Sequence, residues 1–134
     1  MEKKEFLAAV EKEIISIKEN ATTEEIEKLN FIHLDPLHPT SCIYGQMTGD
    51  CENLRSKDLM GKGCTLVFDS LTFDCFEDLI LCAHSRESNN SDDWSSKFRN
   101  AYYFSALETY IALGDSNNKN VIAFLKGEVK ELEL

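Results

Sequence analysis

Four side chains that can bind a transition metal gather in one loop-rich part of the sequence. They are His33, His38, Cys42 and Cys51. Zinc accepts mixtures of imidazole and thiolate ligands, but structural zinc sites usually pair their ligands about two to four residues apart. The chain has no C-x2-C pair, and its four candidates are unevenly spaced. We therefore expect no metal or other cofactor, and these residues are only weak candidates for metal binding.

The same cysteines raise the question of a thiol enzyme. The thiolate of Cys42 or Cys51 would be favoured if the residue lies at the beginning of a helix. His33, His38 or His84 could then act as its base. No histidine lies in a recognisable catalytic signature, however, and free cysteines are more often small core residues. We predict no catalytic residue and no enzymatic activity.

Glycines are concentrated in the same part of the chain. They are Gly45, Gly49, Gly61 and Gly63. Neither G-x-x-x-x-G-K-[ST] nor G-x-G-x-x-G occurs, so we interpret these glycines as helix stops and turns rather than as a phosphate loop. A looser anion site is the alternative, because helix N-termini attract anions and Arg55, Lys57 and Lys62 are nearby.

A set of polar residues between the glycines is a candidate binding surface. This polar set consists of Tyr44, Gln46, Thr48, Asp50 and Arg55. If Ile43 and Met47 face the core, helical geometry turns Tyr44, Gln46 and Thr48 at least partly outward. Exposed aromatic and arginine side chains are over-represented at binding hot spots. The other interpretation is that Tyr44 and Arg55 close the local fold.

Two further residues are binding candidates. Trp94 is the single large apolar residue of the segment SRESNNSDDWSSK. A tryptophan in such a segment either fills a gap in the core or anchors a partner protein. Arg99 could meet the charge of an anionic ligand.

Helical periodicity organises residues 1–30. Apolar residues recur at helical spacing between Glu2 and Lys18. They are Phe6, Leu7, Val10, Ile14 and Ile17. Thr22 followed by Glu25 is a capping-box pattern that opens a second short helix. We predict an N-terminal helical hairpin.

We predict that residues 31–40 form an ordered loop, because Pro36 and Pro39 each restrict the preceding residue to extended conformations. We call it the crossing loop. We expect four apolar residues to pin this loop to the core. They are Phe31, Ile32, Leu34 and Leu37. Residues 41–63 then form a pair of short helices, the second capped by Asp50.

The C-terminal half contains a polar segment and two helices. Residues 85–97 are rich in Ser, Asn and Asp and predict a polar loop. Residues 98–127 predict two helices, of which the first is apolar on nearly all sides. A helix of that kind is usually the buried centre of a bundle.

Strand signals are few. Cys64–Phe68 is the best candidate, being brief, apolar and partly β-branched, and Val129–Leu134 is the other segment that could pair with it. Thr72 is expected to cap a helix over Phe73–Ala83. The elements together predict a mainly α fold, a compact multi-helix single domain over residues 1–134. It contains at most one short two-stranded β element.

Charge and hydropathy limit the classes of partner. The net charge is −10, from 24 acidic and 14 basic residues. This charge disfavours binding to nucleic-acid backbones or anionic membranes and attracts basic protein surfaces. The N-terminus lacks a signal peptide's apolar run, and no segment has the roughly 18 apolar residues of a membrane span. We expect a cytoplasmic protein with reduced thiols.

The stretch CIYGQMTGDC, and the stretch YFSALETYIAL followed by LKGEV, resemble an uncharacterised family of short bacterial and phage proteins. The resemblance runs from about Leu34 to the C-terminus. That family has no established activity, so no site residue is carried over from it. The resemblance implies an accessory protein of a mobile element, and by analogy such proteins often inhibit a host factor.

The sequence therefore predicts a non-enzymatic acidic binding protein, of the kind that a phage uses to inhibit a host protein. The first alternative is a protein that binds or sequesters a small nucleotide-like anion through Arg55 or Arg99. A metal-dependent or thiol enzyme is the third hypothesis.

Overall fold

The computed structural model describes residues 2–60, 66–68, 71–75, 77–82, 96–114, 118–129 and 131–132. Within these ranges the chain is mainly helical, with one small antiparallel sheet. The predicted mainly α class with a single two-stranded element is confirmed.

The described helices fall into an N-terminal group, a short central group and two longer C-terminal helices. They are α1 Lys3–Asn20, α2 Thr23–Glu27, α3 Ile43–Thr48, α4 Leu54–Leu59, α5 at 77–82, α6 Ser96–Ala112 and α7 Lys119–Glu128. A 3-10 turn covers Phe31–His33. Helix α1 packs against α4 and α6, α2 against α3, and α7 against α6 and the 3-10 turn.

The boundary between α1 and α2 follows the predicted capping box. Thr22 Oγ1 accepts the N–H of Glu25 at 3.2 Å, and Glu25 Oε1 accepts the N–H of Thr22 at 2.9 Å. Both donors would otherwise be unsatisfied at the beginning of α2. The predicted inner face of α1 is wrong at Leu7, which is exposed, whereas Glu13 is buried on that face.

The sheet is a local hairpin. Strand β1, Leu66–Phe68, pairs antiparallel with β2, Leu71–Phe73, and Val67 lies opposite Thr72. The predicted pairing with Val129–Leu134 is therefore wrong, as is the helix cap at Thr72, because that residue lies in β2. A hairpin closes a much shorter loop than pairing with the C-terminus would, so it loses less chain entropy.

Helix α6 is the buried centre that its composition predicts. Six of its residues are fully buried, namely Ala101, Tyr102, Ser105, Ala106, Thr109 and Tyr110. The Tyr110 ring meets the Phe31 ring edge-on, with 5.1 Å between centroids. Buried Thr109 donates its hydroxyl to the Ser105 carbonyl at 2.8 Å, so its polar atom is satisfied within the helix.

The crossing loop is held to the core by fewer residues than predicted. Phe31 is buried and Leu34 packs against the core. Ile32 and Leu37 are 59% and 67% exposed, so the expectation that they pin the loop is wrong.

Some predictions fall outside the described residues. Most of the predicted polar loop at 85–97, with Trp94, lies there, and its last two residues begin α6. Among the described helices, none combines the length and the apolar character needed to cross a membrane.

Gly45 of α3 packs directly against the crossing loop. An added Cβ there would collide with the carbonyl oxygen of Pro39, whereas a Cβ on Gly127 of α7 would meet nothing within 4 Å. We expect Gly45→Ala to lower the free energy of unfolding by about 1–3 kcal/mol or more. Gly127→Ala should raise it by up to about 1 kcal/mol, because alanine favours a helix.

Urea unfolding of the two variants against the parent protein checks this pair. Equal midpoints for both variants would contradict the close approach of α3 to the Pro39 carbonyl.

Candidate functional site

A cleft of about 380 Å³ lies between the crossing loop, α3, α4 and the chain from β2 into α5. Among the described residues, its carboxyl groups are those of Glu52, Asp74, Glu77 and Asp78, and its basic residue is Lys57. The thiols of Cys42, Cys51 and Cys75 also line it, with Pro36, Met60 and Leu81 as apolar lining. We call this the acidic cleft.

Glu77 is the structural centre of the acidic cleft. It begins the described part of α5 and is only 5% exposed. Its Oε1 accepts the backbone N–H of Ile43 at 3.3 Å and the hydroxyl of Tyr102 at 3.1 Å. The charge of this carboxyl also helps to raise the pKa of the nearby Cys42 thiol. Glu77 therefore ties α5 to the beginning of α3 and to the middle of α6.

The carboxyl of Glu77 lies between its protonated and ionised forms at neutral pH. Burial raises its pKa to about 7, the nearby Asp78 adds to the rise, and the hydrogen bonds from Ile43 and Tyr102 oppose it. Across the described ranges, no Lys, Arg or His forms an ion pair with Glu77. A cation that entered the cleft would favour the ionised form.

The thiols of the acidic cleft are protonated. Cys42 caps α3, where its sulfur accepts the N–H of Gly45 at 3.4 Å. Burial, followed by the charge of Glu77, raises the pKa of Cys42, and burial also raises the pKa values of Cys51 and Cys75. Because a thiolate is the nucleophilic form, these environments oppose thiol catalysis.

The structure does not bring the four metal candidates together. Cys42 and Cys51 lie in the acidic cleft, but neither histidine lines it. The ring of His38 bonds the hydroxyl of Thr40 at 2.8 Å, and His33 lies exposed in the 3-10 turn. Over the described residues, no three His, Cys, Asp or Glu side chains are grouped so as to hold a metal ion.

The polar set is directed inward more than its sequence predicts. Tyr44 is 2% exposed and donates its hydroxyl to the buried Glu13 at 2.7 Å, so its predicted exposure is wrong. Gln46 Oε1 accepts the backbone N–H of Asn30 and the hydroxyl of Tyr110, each at 2.8 Å. These bonds attach α3 to α1, to α6 and to Asn30, the residue directly before the crossing loop.

The next two members of the polar set organise the turn between α3 and α4. The Thr48 hydroxyl donates to the carbonyl of Tyr44 at 2.9 Å. Asp50 Oδ1 accepts the N–H of Glu52 at 2.8 Å and does not cap α4 as predicted. Asn53 is the cap, because its side chain accepts the N–H of Ser56 at 2.8 Å. Helix α4 therefore begins at Leu54, three residues later than a cap at Asp50 would place it.

Arg55 closes the local fold. Its Nε and Nη2 donate to the two carboxylate oxygens of Glu25 at 2.8 and 2.7 Å. Nη1 donates to Asp58 and Nη2 also to the carbonyl of Asn20, both at 3.0 Å. The hydrogen bonds from Arg55 lower the pKa of Glu25 to about 2. Every guanidinium nitrogen is therefore engaged, which leaves Arg55 poorly placed to bind an external anion.

Arg99 lies beside a second, smaller cavity of about 190 Å³. Asp35, Leu37, Tyr102 and Tyr103 also line this cavity. Neither Arg55 nor any other member of the polar set lines this cavity. Trp94 lies outside the described residues.

Sequence reasoning missed Glu77, and with it the buried Glu13. Both acids occupy helical positions that apolar residues usually hold. Glu13 follows Val10 by three residues and precedes Ile17 by four, and Glu77 precedes Ile80 by three. An acidic residue in line with an apolar stripe is the available signal for a buried carboxyl.

The Arg55–Glu25 ion pair is testable by a double-mutant cycle. Single and double substitutions to Ala should show a favourable coupling near neutral pH. The coupling should be complete above about pH 4.5 and disappear as the pH falls towards about 2, since the folded state holds Glu25 ionised. Urea unfolding measures each variant, and additive effects at pH 7 would contradict the bidentate geometry.

Glu77 should make the folded state less stable as the pH rises. Its folded-state pKa exceeds its usual value, so its stabilising contribution is complete below about pH 4.5 and is lost as the pH rises through about 7. The loss should total roughly 2–4 kcal/mol. Glu77→Gln should remove this slope, whereas Glu108→Gln, at an exposed position of α6, should keep it. Parallel unfolding profiles for Glu77→Gln and the parent protein would contradict the burial of an ionisable Glu77.

Comparison with known proteins adds no relative. The chain matches no protein-family model, no curated protein and no solved structure. The resemblance to short bacterial and phage proteins therefore stays a prediction, and the geometry of the acidic cleft is the basis for assigning a function.

Proposed function

We propose that this protein is a non-enzymatic binding protein whose acidic cleft receives a basic side chain of a partner protein. The observation that carries the proposal is the carboxyl of Glu77, which is buried in the cleft without a cationic partner among the described residues. Buried ionised groups are stable only when they are paired. A lysine or arginine of the partner would supply the missing charge.

The walls of the acidic cleft favour the same kind of ligand. The exposed carboxyl groups of Glu52, Asp74 and Asp78 line the same cleft as Glu77, and among the described lining residues only Lys57 offsets part of their charge. The chain as a whole carries a net charge of −10. A potential of this sign attracts basic protein surfaces and repels phosphates.

The apolar part of the lining suits a side chain with a long aliphatic stem. Pro36, Met60 and Leu81 line the same cleft as the carboxyl groups. Lysine and arginine bury their methylene groups against apolar surface while their charged ends reach polar partners. A metal ion or a small inorganic cation would make no use of this apolar lining.

The alternatives draw less support from the geometry. Small-anion binding requires a cation that can turn to the ligand, and Arg55 is held by Glu25, Asp58 and the carbonyl of Asn20. A thiol enzyme requires a thiolate, and the pKa values of Cys42, Cys51 and Cys75 are raised. The resemblance to phage proteins and the free cysteines support a cytoplasmic partner, whose basic surface this protein would occlude.

Titration calorimetry with two matched peptides tests the proposal. Ac-Gly-Arg-Gly-NH2 should bind the parent protein at pH 8, and the citrulline peptide, which is nearly isosteric but neutral, should not. Glu77→Gln should lower the affinity for the arginine peptide at least about tenfold, because it removes the buried carboxylate that pairs with the guanidinium. Glu108→Gln, which neutralises an exposed acid of α6, should leave the affinity unchanged.

The number of protons released on binding is a second measurement from the same titration. At about pH 6.5, arginine binding should release a proton from Glu77, so the measured heat should depend on the ionisation enthalpy of the buffer. Equal binding of the arginine and citrulline peptides would refute the proposal. Thermal stabilisation by ATP that is lost in Arg55→Ala or Arg99→Ala would instead favour the small-anion alternative.

A further inference from the structure

Two cysteines at opposite ends of α3 meet in the acidic cleft. Cys42 precedes the helix, and Cys51 follows the left-handed turn at Gly49, whose φ is 100°. The backbone N–H of Cys51 donates to the carbonyl of Pro39 at 2.8 Å, and the Cys42 sulfur lies 3.9 Å from that same oxygen. The Cys51 thiol is among the groups that raise the pKa of Cys42, so the two side chains are close to each other. The chain reversal at Gly49 therefore brings the thiol that follows α3 close to the thiol that precedes it.

The two sulfurs differ in their access to solvent. Cys42 is 3% exposed, whereas Cys51 is half-buried, and both line the acidic cleft. A reagent that enters the cleft therefore meets Cys51 first. Cys42 is sheltered from the reagent but lies within reach of any adduct on Cys51.

The cleft should also select reagents by charge. Glu52 follows Cys51 directly in the chain, and Glu77 lines the same cleft as Cys42 and acts on it through its charge. Asp74 and Asp78 complete the acidic lining. Such a field raises the local concentration of cationic reagents and lowers that of anionic ones.

We propose that Cys42 and Cys51 are a dithiol modification site that small cationic disulfides oxidise to an intramolecular disulfide. The Cys51 thiolate attacks one sulfur of the reagent, which breaks the reagent's S–S bond, forms a mixed disulfide and releases one thiolate. The Cys42 thiolate then attacks the Cys51 sulfur, closes the protein disulfide and releases the second thiolate. The protein loses two electrons and two protons, and the reagent is reduced to two thiols.

The other described cysteines lack this arrangement. Cys75 lines the cleft and is as buried as Cys42, but it forms no hydrogen bond to the Pro39 carbonyl that Cys42 and Cys51 share. Cys82 is not part of the cleft lining. The acidic lining and burial keep the dithiol protonated, which makes the exchange slow at neutral pH and faster as the pH rises. The dithiol should therefore react slowly with most disulfides and fastest with a reagent that the cleft concentrates.

Peptide mapping after trapping with N-ethylmaleimide tests the site. The reduced protein is incubated at pH 8 with equal concentrations of cystamine, hydroxyethyl disulfide or oxidised glutathione, which are cationic, neutral and anionic. We expect a Cys42–Cys51 disulfide, formed roughly tenfold faster with cystamine than with oxidised glutathione at low salt. The ratio should shrink at high salt, since screening weakens the field.

Single variants separate the two steps. Cys42→Ser should accumulate a cysteamine adduct on Cys51, and Cys51→Ser should abolish oxidation of Cys42. Cys82→Ser should react like the parent protein. If mapping of the parent protein finds Cys42 and Cys51 alkylated while other thiols are oxidised, the site is refuted.

Equal rates for the three reagents would refute the charge selection. Because the mapping needs no partner protein, these outcomes are independent of whether the cleft binds a basic side chain.

Discussion

The structure depends on burying the short helix α3 without leaving its polar groups unsatisfied. Six residues are too few to form a stable helix alone. Three other helices therefore supply partners: Glu13 of α1 for Tyr44, Glu77 of α5 for the N–H of Ile43, and Tyr110 of α6 for Gln46. Because an unpaired buried polar group is costly, these bonds specify one arrangement of the helices around α3.

One of these partners also creates the candidate site. Glu77 accepts hydrogen bonds from α3 and α6, yet its carboxyl forms no ion pair with a described cationic residue. Its raised pKa is the energetic consequence of that burial. Proteins tolerate such a loss of stability where it serves binding or catalysis. The same carboxyl therefore accepts hydrogen bonds from the buried helices and also supplies an acidic group to the cleft.

The turn after α3 connects the cleft to the thiols. Gly49 takes a left-handed conformation, and the chain then returns to the Pro39 carbonyl, which places Cys51 beside Cys42. Binding of a basic group and oxidation of the dithiol would thus share one set of carboxyl groups. A positive ligand and a positive disulfide are favoured for the same electrostatic reason.

The sequence by itself determined the elements whose signals are local. Periodicity predicts α1 and the buried α6, and Thr22 with Glu25 predicts the beginning of α2. Only the tertiary structure decided that β1 pairs with β2, that Tyr44 and Arg55 close the fold, and that Glu77 lines a cleft. The physical reason is that hydrogen-bond partners distant in sequence set the burial of polar residues. Local patterns record a residue's neighbours along the chain and not those across the core.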